Sequence, residues 1–211
     1  MRYFVTGTGT GVGKTFVTAM LARRARTLAR SVFAFKPIET GCLGPGEDQE
    51  TLAVAAGDWQ QGELRGLYRF PLAAAPLVAA EAVGGTIDLE KVIATIESGA
   101  AGRDLVLVEG AGGWRVPITK EVDMGSLAHR LGWPVIIVGL ATLGTINHSL
   151  LTIEAVERSG SIVAAVILSV RPTDAPQMVA ENVHQIARRV SCRVALSTED
   201  LDDLVVSGLS Q

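Results

Sequence analysis

Residues 7–15 read GTGTGVGKT, and they directly follow the apolar run Tyr3–Val5. Glycines allow the backbone N–H groups of such a loop to close around phosphate oxygens. Lys14 supplies an ammonium for the outer phosphates, and the hydroxyl of Thr15 is a ligand for Mg²⁺. A helix that begins near Gly13 directs the positive end of its dipole at the same anion. The stretch therefore predicts a strand, a phosphate-binding loop and a helix, which together bind a nucleoside triphosphate.

This loop is one residue longer than the common phosphate-binding pattern GxxxxGK[ST]. The pattern calls for a glycine at position 8, where the chain has Thr8, and the nearest glycine is Gly7. A glycine-rich hairpin with an incidental Lys-Thr pair is the alternative interpretation. We favour the phosphate-binding loop, because a strand pattern precedes the glycines and a helix pattern follows them, as the mechanism requires.

The composition predicts a single α/β domain over residues 1–211, since 48% of the chain is hydrophobic and only 5% is aromatic. A net charge of −3 argues against a nucleic-acid partner held by a broad basic face. Cys42 and Cys192 form neither a CxxC motif nor a disulfide framework, so a cytoplasmic location is expected. The chain enters its first predicted strand at Tyr3, so no signal peptide is expected. The longest apolar runs are too short to cross a bilayer, and no membrane partner is expected.

Short apolar runs alternate with helical patterns along the chain, as in a parallel sheet whose strands are buried on both faces. The predicted strands are Tyr3–Val5, Val32–Phe35, Leu105–Val108, Val135–Leu140, Ile162–Leu168 and Arg193–Leu196. The predicted helices are Val17–Arg30, Glu50–Ala56, Leu89–Ser98, Ser126–Leu131, Asn147–Arg158 and Ala175–Arg189. This alternation predicts βαβ units, and hence a P-loop NTPase-like α/β fold with a mainly parallel sheet and helices on both faces.

Charged residues follow two of the predicted strands, at the sheet edge where ligands gather in open parallel sheets. Lys36 follows the second strand, where a cation beside a triphosphate indicates a second anion or charge that develops in the transition state. Glu109 ends the third strand, and the glycines after it leave room for Mg²⁺ at its carboxylate. A carboxylate that only caps a neighbouring loop is the alternative for Glu109.

Asp48 follows the loop Gly44-Pro45-Gly46 and stands where a predicted helix begins. A plain N-cap and a metal ligand are both consistent with this position. Glu47 is the alternative metal ligand in the same segment. The acidic residues after position 198, which are Glu199, Asp200, Asp202 and Asp203, are interpreted as solvated surface rather than as a metal site.

Leu143–His148 forms a turn into a predicted helix, and a helix N-terminus binds anions through its free N–H groups. This turn is a candidate for binding a substrate carboxylate, although Asn147 could equally be only an N-cap. His148 is interpreted as structural or adjacent to substrate rather than as a general base. His129 and His184 are expected on the surface. The chain contains neither a GxSxG nucleophile motif nor Cys/His spacing for zinc.

Four motifs, taken in order, resemble the dethiobiotin synthetase family of biotin biosynthesis. They are VTGTGTGVGKT at 5–15, KPIETG at 36–41, VEGAGG at 108–113 and LGTINH at 143–148. The resemblance implies a P-loop α/β homodimer whose active site lies at the dimer interface. It also implies an enzyme that converts 7,8-diaminopelargonic acid, CO₂ and ATP into dethiobiotin, ADP and phosphate. A carbamate and a carbamic-phosphoric anhydride are the implied intermediates, and no covalent nucleophile on the protein is needed.

The resemblance also implies roles for individual residues. Mg²⁺ would be held by Thr15, Asp48 and Glu109. The nucleotide would contact these three and Gly11, Val12, Gly13, Lys14, Phe16, Gly110, Ala111, Gly112 and Ser169. The diamino acid would contact Thr10, Lys36 and Thr40, with its carboxylate on Gly144, Thr145, Ile146 and Asn147 of the partner subunit. Lys14 and Lys36 would bind the carbamate and stabilise the phosphoryl group in transfer, so they are the predicted catalytic residues.

One departure from the family concerns the nucleotide base. Many members carry an Asn-Asp pair after the strand that matches Ile162–Leu168, and the Asn reads adenine. This chain has Ser169-Val170 there, and a hydroxyl offers fewer directed hydrogen bonds than an amide. The departure predicts that triphosphates other than ATP are accepted. The segment Phe70–Pro76 matches a substrate-side loop only loosely.

Two other classes share a related nucleotide loop. ATPase switches of the ParA/MinD type carry a signature lysine two residues after the first loop glycine, where this chain has Gly9. Amidotransferases of the cobyrinic acid amide synthase type need a glutaminase domain, for which the chain has no room. The synthetase is therefore the favoured interpretation, and the ATPase switch is the alternative.

Overall fold

The structure, a computed structural model, describes residues 1–199 and 201–206. Its main feature is a six-stranded sheet in which every pairing is parallel. The strands of this sheet are β1 (Arg2–Gly7), β2 (Val32–Phe35), β5 (Leu105–Gly113), β6 (Val135–Leu140), β7 (Val163–Ser169) and β8 (Arg193–Leu196). Their order is β2-β5-β1-β6-β7-β8, which places β1 in the interior of the sheet. A separate parallel pair is formed by β3 (Ile38–Thr40) and β4 (Tyr68–Phe70).

Helices cover both faces of the main sheet. In chain order they are α1 (Lys14–Thr27), α2 (Glu47–Ala55), α3 (Pro76–Glu81), α4 (Leu89–Ala100), α5 (Met124–Leu131), α6 (Thr145–Arg158), α7 (Pro176–Ala187) and α8 (Asp202–Val206). A short 3₁₀ turn lies at Gly62–Leu64. Within the part of the chain that the structure describes, no helix has the length and apolarity that crossing a bilayer requires.

Two apolar cores lie on opposite faces of the sheet, because successive strand residues point to opposite sides. Phe4 packs into the core beneath α4, α5, α6 and α7, whereas Val5 packs into the core beneath α1, α2 and α8. Most of the buried side chains are aliphatic. Among the aromatic ones, Phe33 stacks on Phe35 and contacts Trp59, and Phe4 contacts Trp114 edge to face. The predicted P-loop α/β architecture with helices on both faces is confirmed.

Each predicted strand and helix is present, with boundaries that differ by up to five residues. Helix α1 ends at Thr27 rather than Arg30, because Ala29 adopts a left-handed conformation with φ of 56°. Helix α6 begins at Thr145 with Gly144 as N-cap, so the interpretation of Asn147 as an N-cap is wrong. Asp88 caps α4 by accepting the Lys91 N–H, as its position before Leu89 predicts.

Strand β5 is longer than its apolar run. It continues through the glycines to Gly113, which pairs with Gly7 after a register shift in β1. Glu109 therefore lies inside a strand and opposite Val5, rather than at the end of a strand as the sequence predicts. The reason is that glycines allow the two backbones to remain paired beside the phosphate-binding loop.

The small pair of strands β3 and β4 was not predicted, and neither were α3 and α8. A three-residue strand and a five- or six-residue helix carry too little periodicity to be read from sequence. The arginines of α1 lie on its exposed side, where Arg24 pairs with Asp202 of α8. Asp203 pairs with Arg193, which agrees with a surface role for this acidic segment, and Asp200 lies outside the described residues.

Candidate active site

The loop between β1 and α1 has the features of an anion site. Its N-cap residue Gly13 makes no side-chain cap, and the first turn of α1 contains no acidic residue, so no carboxylate of this segment occupies the free N–H groups there. Gly11 and Gly13 have φ of 72° and 91°, a conformation that favours glycine. A Cβ on Gly13 would also lie 2.6 Å from the Ser169 hydroxyl, which leaves no room for any other residue. The Lys14 ammonium donates to the Gly9 carbonyl of the same loop at 3.1 Å.

A cavity of about 600 Å³ opens at the carboxyl ends of β1 and β2 and beside β5. Most of the predicted site residues line it together. They are Thr10, Gly11, Gly13, Lys14, Thr15, Phe16, Lys36, Thr40, Asp48, Glu109, Ala111 and Gly112. Its remaining wall is formed by Ala73, Ala74, Ala75, Pro76 and Val116. The cavity therefore joins four segments that are distant in sequence.

A chain of charged contacts crosses the floor of this cavity. The Lys36 ammonium forms salt bridges with Asp48 and with Glu109, and its distance to Glu109 Oε1 is 3.1 Å. The Thr15 hydroxyl donates to the same Glu109 oxygen at 2.8 Å. Glu109 is fully buried, and Lys36 is only 7% exposed. Because buried charges are costly unless paired, each member of this chain holds the others in place.

The pKa values of the two lysines that line the cavity are shifted in opposite directions. Burial lowers the pKa of Lys14, and the repulsion by Lys36 adds to this effect, while Glu109 and Asp48 only partly oppose it. Burial acts in the same way on Lys36, but its contacts with Glu109 and Asp48 outweigh burial and hold the pKa of Lys36 above its ordinary value. Lys36 therefore remains a cation throughout the neutral range.

The carboxylates of this cavity fit a magnesium ion. Glu109 Oε2 is buried and has no hydrogen-bond partner among the described residues, so one oxygen of the carboxylate is unsatisfied there. Thr15 and Asp48 are joined to Glu109 through the contacts described above. Among the described residues, no three His, Cys, Asp or Glu side chains gather as a metal cluster. A set of two carboxylates and a hydroxyl suits Mg²⁺, which takes few protein ligands and completes its shell with phosphate oxygens and water.

The structure corrects two interpretations of the segment before α2. The N-cap of α2 is Gly46, so Asp48 is not a plain N-cap, and its side chain pairs with Lys36 instead. Glu47 is exposed and does not line the cavity, so its position does not suit a metal ligand of this site.

A second layer of polar residues behind the cavity was not predicted. The Glu39 carboxylate accepts the backbone N–H groups of Asp48 and Gln49 at 3.1 and 2.9 Å. The Gln49 side chain donates to the backbone carbonyls of Lys36 and Tyr68. No local sequence pattern could reveal these contacts, because they join β3 and β4 to the first turn of α2.

Some predicted site residues do not line the cavity. Val12 and Gly110 are buried, and Ser169 lies behind Gly13. The segment 144–147 begins α6, away from the cavity of the same chain. A second depression of about 520 Å³ lies between the phosphate-binding loop and α6, and it shares Thr10 and Val116 with the main cavity.

Val116 is a cavity residue that the sequence analysis missed. It follows β5 by three residues, and no motif includes it. The wall Ala73–Pro76 falls in the segment that matches the family only loosely. Ala73 contacts Gly41, since a Cβ on Gly41 would lie 3.1 Å from the Ala73 Cβ. The small alanine side chains are what leave the cavity open on this side.

Solved structures with a similar backbone share the fold. A chain of the MinC:MinD cell division protein complex of Aquifex aeolicus aligns with a TM-score of 0.54 and 19% identity, over 97% of this chain and 84% of that chain. The signal recognition particle receptor FtsY of Elizabethkingia anophelis aligns with a TM-score of 0.52 and 16% identity, over 96% of this chain and 60% of that chain. At this level of identity the likeness concerns the fold alone.

Sequence relatives separate the synthetase from the ATPase switch. The AAA domain family matches residues 1–207. An ATP-dependent dethiobiotin synthetase of Anaeromyxobacter dehalogenans strain 2CP-C is 42% identical over 88% of this chain and 83% of the relative. A second ATP-dependent dethiobiotin synthetase, from Chlorobaculum tepidum, is 34% identical over 98% of this chain and 87% of the relative. Identity of this extent, together with the four motifs in their order along the chain, shows that the chain belongs to the ATP-dependent dethiobiotin synthetase family, a family of P-loop ligases of biotin biosynthesis.

Proposed function

We propose that the chain carboxylates 7,8-diaminopelargonic acid with CO₂ and closes the ureido ring of dethiobiotin at the expense of ATP. The observation that carries this proposal is the cavity in which Lys14 and Lys36 face Glu109 beside a phosphate-binding loop. This arrangement supplies a triphosphate cradle, a metal-binding carboxylate and a second cation for an anionic substrate. Residues 1–211 act as one domain, and the proposed location is the cytoplasm.

The first step joins CO₂ to one substrate amine and releases a proton, which gives a carbamate. Its negative charge matches the ammonium groups of Lys14 and Lys36, the two lysines that line the cavity. We assign them to holding the carbamate oxygen against the γ-phosphate of ATP. Thr10 and Thr40 line the same cavity and are assigned to the polar groups of the diamino acid.

In the second step a carbamate oxygen attacks the γ-phosphorus, and the bond to ADP breaks. This gives a carbamic-phosphoric anhydride. The third step is attack of the second amine on the anhydride carbonyl, which closes the ring and releases phosphate and protons. The protein supplies orientation and positive charge rather than a covalent nucleophile, which is the usual basis of phosphoryl transfer.

Mg²⁺ is proposed to bind Thr15, Asp48 and Glu109, where it would neutralise phosphate charge and help hold the triphosphate. The remaining nucleotide contacts are assigned to the loop and to the glycines of β5, as Gly11, Val12, Gly13, Lys14, Phe16, Gly110, Ala111 and Gly112, with Ser169 near the base. Lys36 pairs with both carboxylates in the structure, so metal binding to them would free its charge for the carbamate.

The active enzyme is proposed to be a homodimer with each site completed by the partner subunit. The first turn of α6 is assigned to the substrate carboxylate through Gly144, Thr145, Ile146 and Asn147. The Thr145 N–H donates to the Thr142 carbonyl at 3.1 Å, so the N–H groups of Ile146 and Asn147 are the proposed donors. This turn does not line the cavity of its own chain, and Leu143 beside it is 91% exposed. A second copy would cover this apolar side chain and bring the turn to the far end of the substrate.

The reaction is tested by phosphate release with ATP, Mg²⁺ and bicarbonate, measured with and without diaminopelargonic acid. We expect release that depends on the diamine and a product with the mass of dethiobiotin. Slow release that is indifferent to the diamine would refute the proposal and favour the ATPase switch.

The shared site predicts a specific effect of Asn147→Asp. An acidic residue in the first turn stabilises the helix but repels a substrate carboxylate, so the KM for the diamine should rise while the KM for ATP stays unchanged. Asn147→Gln is the control without added charge. Mixing Asn147→Asp with Lys36→Ala should restore activity, because mixed dimers contain one intact site. No recovery on mixing would show that each chain completes its own site.

A further inference from the structure

Glu39 is a buried carboxylate that none of the reaction steps uses. It lies on β3, three residues after Lys36, and is 6% exposed. Its Oε1 accepts the N–H of Asp48 at 3.1 Å, and its Oε2 accepts the N–H of Gln49 at 2.9 Å. A carboxylate in this position gains from the charge-assisted bonds and from the positive end of the α2 dipole.

Glu39 takes the place of the capping side chain that the N-cap residue of α2 lacks. The N-cap residue itself is Gly46, which has no side chain, and no side chain of the local segment caps the helix. The approach of Glu39 depends on this glycine, since a Cβ on Gly46 would lie 2.3 Å from Glu39 Oε2. The helix end is therefore fixed by a residue on a strand rather than by its own loop.

The consequence reaches the cavity through Asp48. Its backbone is held by Glu39, and its side chain pairs with the Lys36 ammonium. The side chain of the neighbouring Gln49 fixes the backbone of Lys36 by donating to its carbonyl at 3.0 Å. Thus the first turn of α2 is attached both to β3 and to the segment that carries Lys36.

We propose that Glu39 is a positioning residue that orients the Asp48 carboxylate for the metal–nucleotide site. The proposal rests on the function proposed above, because that function gives Asp48 its role as a metal ligand. Residues that orient metal ligands without touching the metal commonly change metal affinity when they are removed. Glu39 does not line the cavity, so its effect passes through Asp48.

The test is Glu39→Gln in the full chain. The amide keeps the size of the side chain but can accept only one of the two N–H groups, and it turns a donor toward the other. The first measurement is Mn²⁺ affinity by electron paramagnetic resonance, with a non-hydrolysable ATP analogue present. We expect the affinity to fall by about 10-fold or more. In turnover, the half-saturating Mg²⁺ concentration should rise, whereas kcat at saturating Mg²⁺ should be recovered.

Glu50→Gln is the matched control. Glu50 stands in the same first turn of α2, but its side chain pairs with Arg65 at the surface. The Glu50→Gln substitution also removes one negative charge, but Glu50 does not contact the Asp48 backbone. The Mn²⁺ affinity of this variant should therefore equal that of the wild type. Gly46→Ala is the second variant, and it should reproduce the Glu39→Gln defect because the added methyl displaces the Glu39 carboxylate.

Unchanged Mn²⁺ affinity in Glu39→Gln, or an equal loss in Glu50→Gln, would overturn the proposal. A Glu39→Gln chain that fails to fold would assign the residue to folding and would overturn it as well. The Mn²⁺ measurement needs no turnover, so it tests the positioning role of Glu39 independently of the proposed reaction. A wild-type chain that binds Mn²⁺ and nucleotide but makes no dethiobiotin would refute the function alone.

Discussion

The ammonium of Lys36 lies between two carboxylates, one of which, Glu109, is fully buried. At the scale of single residues, this position explains why a lysine is needed there. A neutral side chain would leave the buried charge of Glu109 with only the Thr15 hydroxyl as a direct partner in the part of the chain that the structure describes. The same ammonium is the second positive charge at the proposed reacting centre. Lys36 therefore links the stability of the site to its proposed chemistry.

Lys36→Ala is expected to lower kcat by about 10³-fold or more, as the loss of a charge that stabilises a transferred phosphoryl group does. Without Mg²⁺, the variant should also lose about 3 kcal/mol of unfolding free energy, because a buried ion pair is broken from one side. Turnover and urea unfolding with and without Mg²⁺ measure the two effects. Lys36→Arg keeps the charge and serves as control. A variant with most of its activity would show that Lys36 is not catalytic.

Ser169 is predicted to leave the nucleotide base weakly selected. An amide that makes two hydrogen bonds to a base supplies about 1–3 kcal/mol of discrimination, which a single hydroxyl does not match. Initial rates with CTP and GTP should therefore lie within about 10-fold of the rate with ATP. The measurement is diamine-dependent phosphate release at equal concentrations of each triphosphate. A steep preference for ATP would contradict the prediction.

At the scale of elements, α4 shows how closely the helices approach the sheet. A Cβ on Gly99 would lie 2.2 Å from the ring of Phe33, which is itself fully buried. That ring cannot move aside, because it stacks on Phe35 at a centroid distance of 5.1 Å and contacts Trp59. The glycine therefore sets the distance between α4 and β2, the strand that precedes Lys36.

Gly99→Ala is expected to destabilise the fold in spite of better helix propensity. Alanine gains about 1 kcal/mol in an exposed helix, but overpacking a rigid core costs about 1–3 kcal/mol, so the packing term is the larger. Chemical denaturation measures the difference. Ser98→Ala, at the exposed neighbouring position, is the control and should be neutral or slightly stabilising. A more stable Gly99→Ala protein would mean that α4 is free to move outward.

At the scale of the whole molecule, we expect nucleotide binding and stability to be coupled through Lys14. Burial lowers the pKa of this ammonium, so at neutral pH the folded chain holds a charge that the unfolded chain would solvate better. A lysine whose pKa falls on folding destabilises the fold at every pH below its folded pKa. A triphosphate supplies the opposite charge and relieves this cost.

Lys14→Met should therefore not lower the melting temperature measured without nucleotide, and we expect a small increase. With Mg·ATP analogue at 100 times its Kd, the unfolding free energy of the wild type should rise by about 2.7 kcal/mol. For a chain of this size, each kcal/mol raises the melting temperature by roughly 2–4 °C. The variant should lose this gain. Thermal unfolding with and without the analogue measures both effects, and Lys14→Arg is the control that keeps the charge. A lower melting temperature for Lys14→Met without nucleotide would contradict the sign of the coupling.

The local sequence was sufficient for the phosphate-binding loop, the six strands of the sheet and the helices between them. These features depend on periodicity, on glycine and on caps such as Asp88, which act within a few residues. The four motifs also identified most of the residues that line the cavity. The local sequence was therefore enough to predict the fold class and most of the residues that line the cavity.

Tertiary structure alone decided how these residues meet. Glu109 lies inside β5 rather than at its end, Asp48 pairs with Lys36 rather than capping its helix, and Glu39 caps α2 from a separate strand. The side-chain contacts of Asp48 and Glu39 join residues between 9 and 12 positions apart, and the strand pairing of Glu109 is with Val5 near the start of the chain. No local pattern encodes such a contact, because it depends on where the sheet places each strand end and on the room that Gly46 leaves beside Glu39.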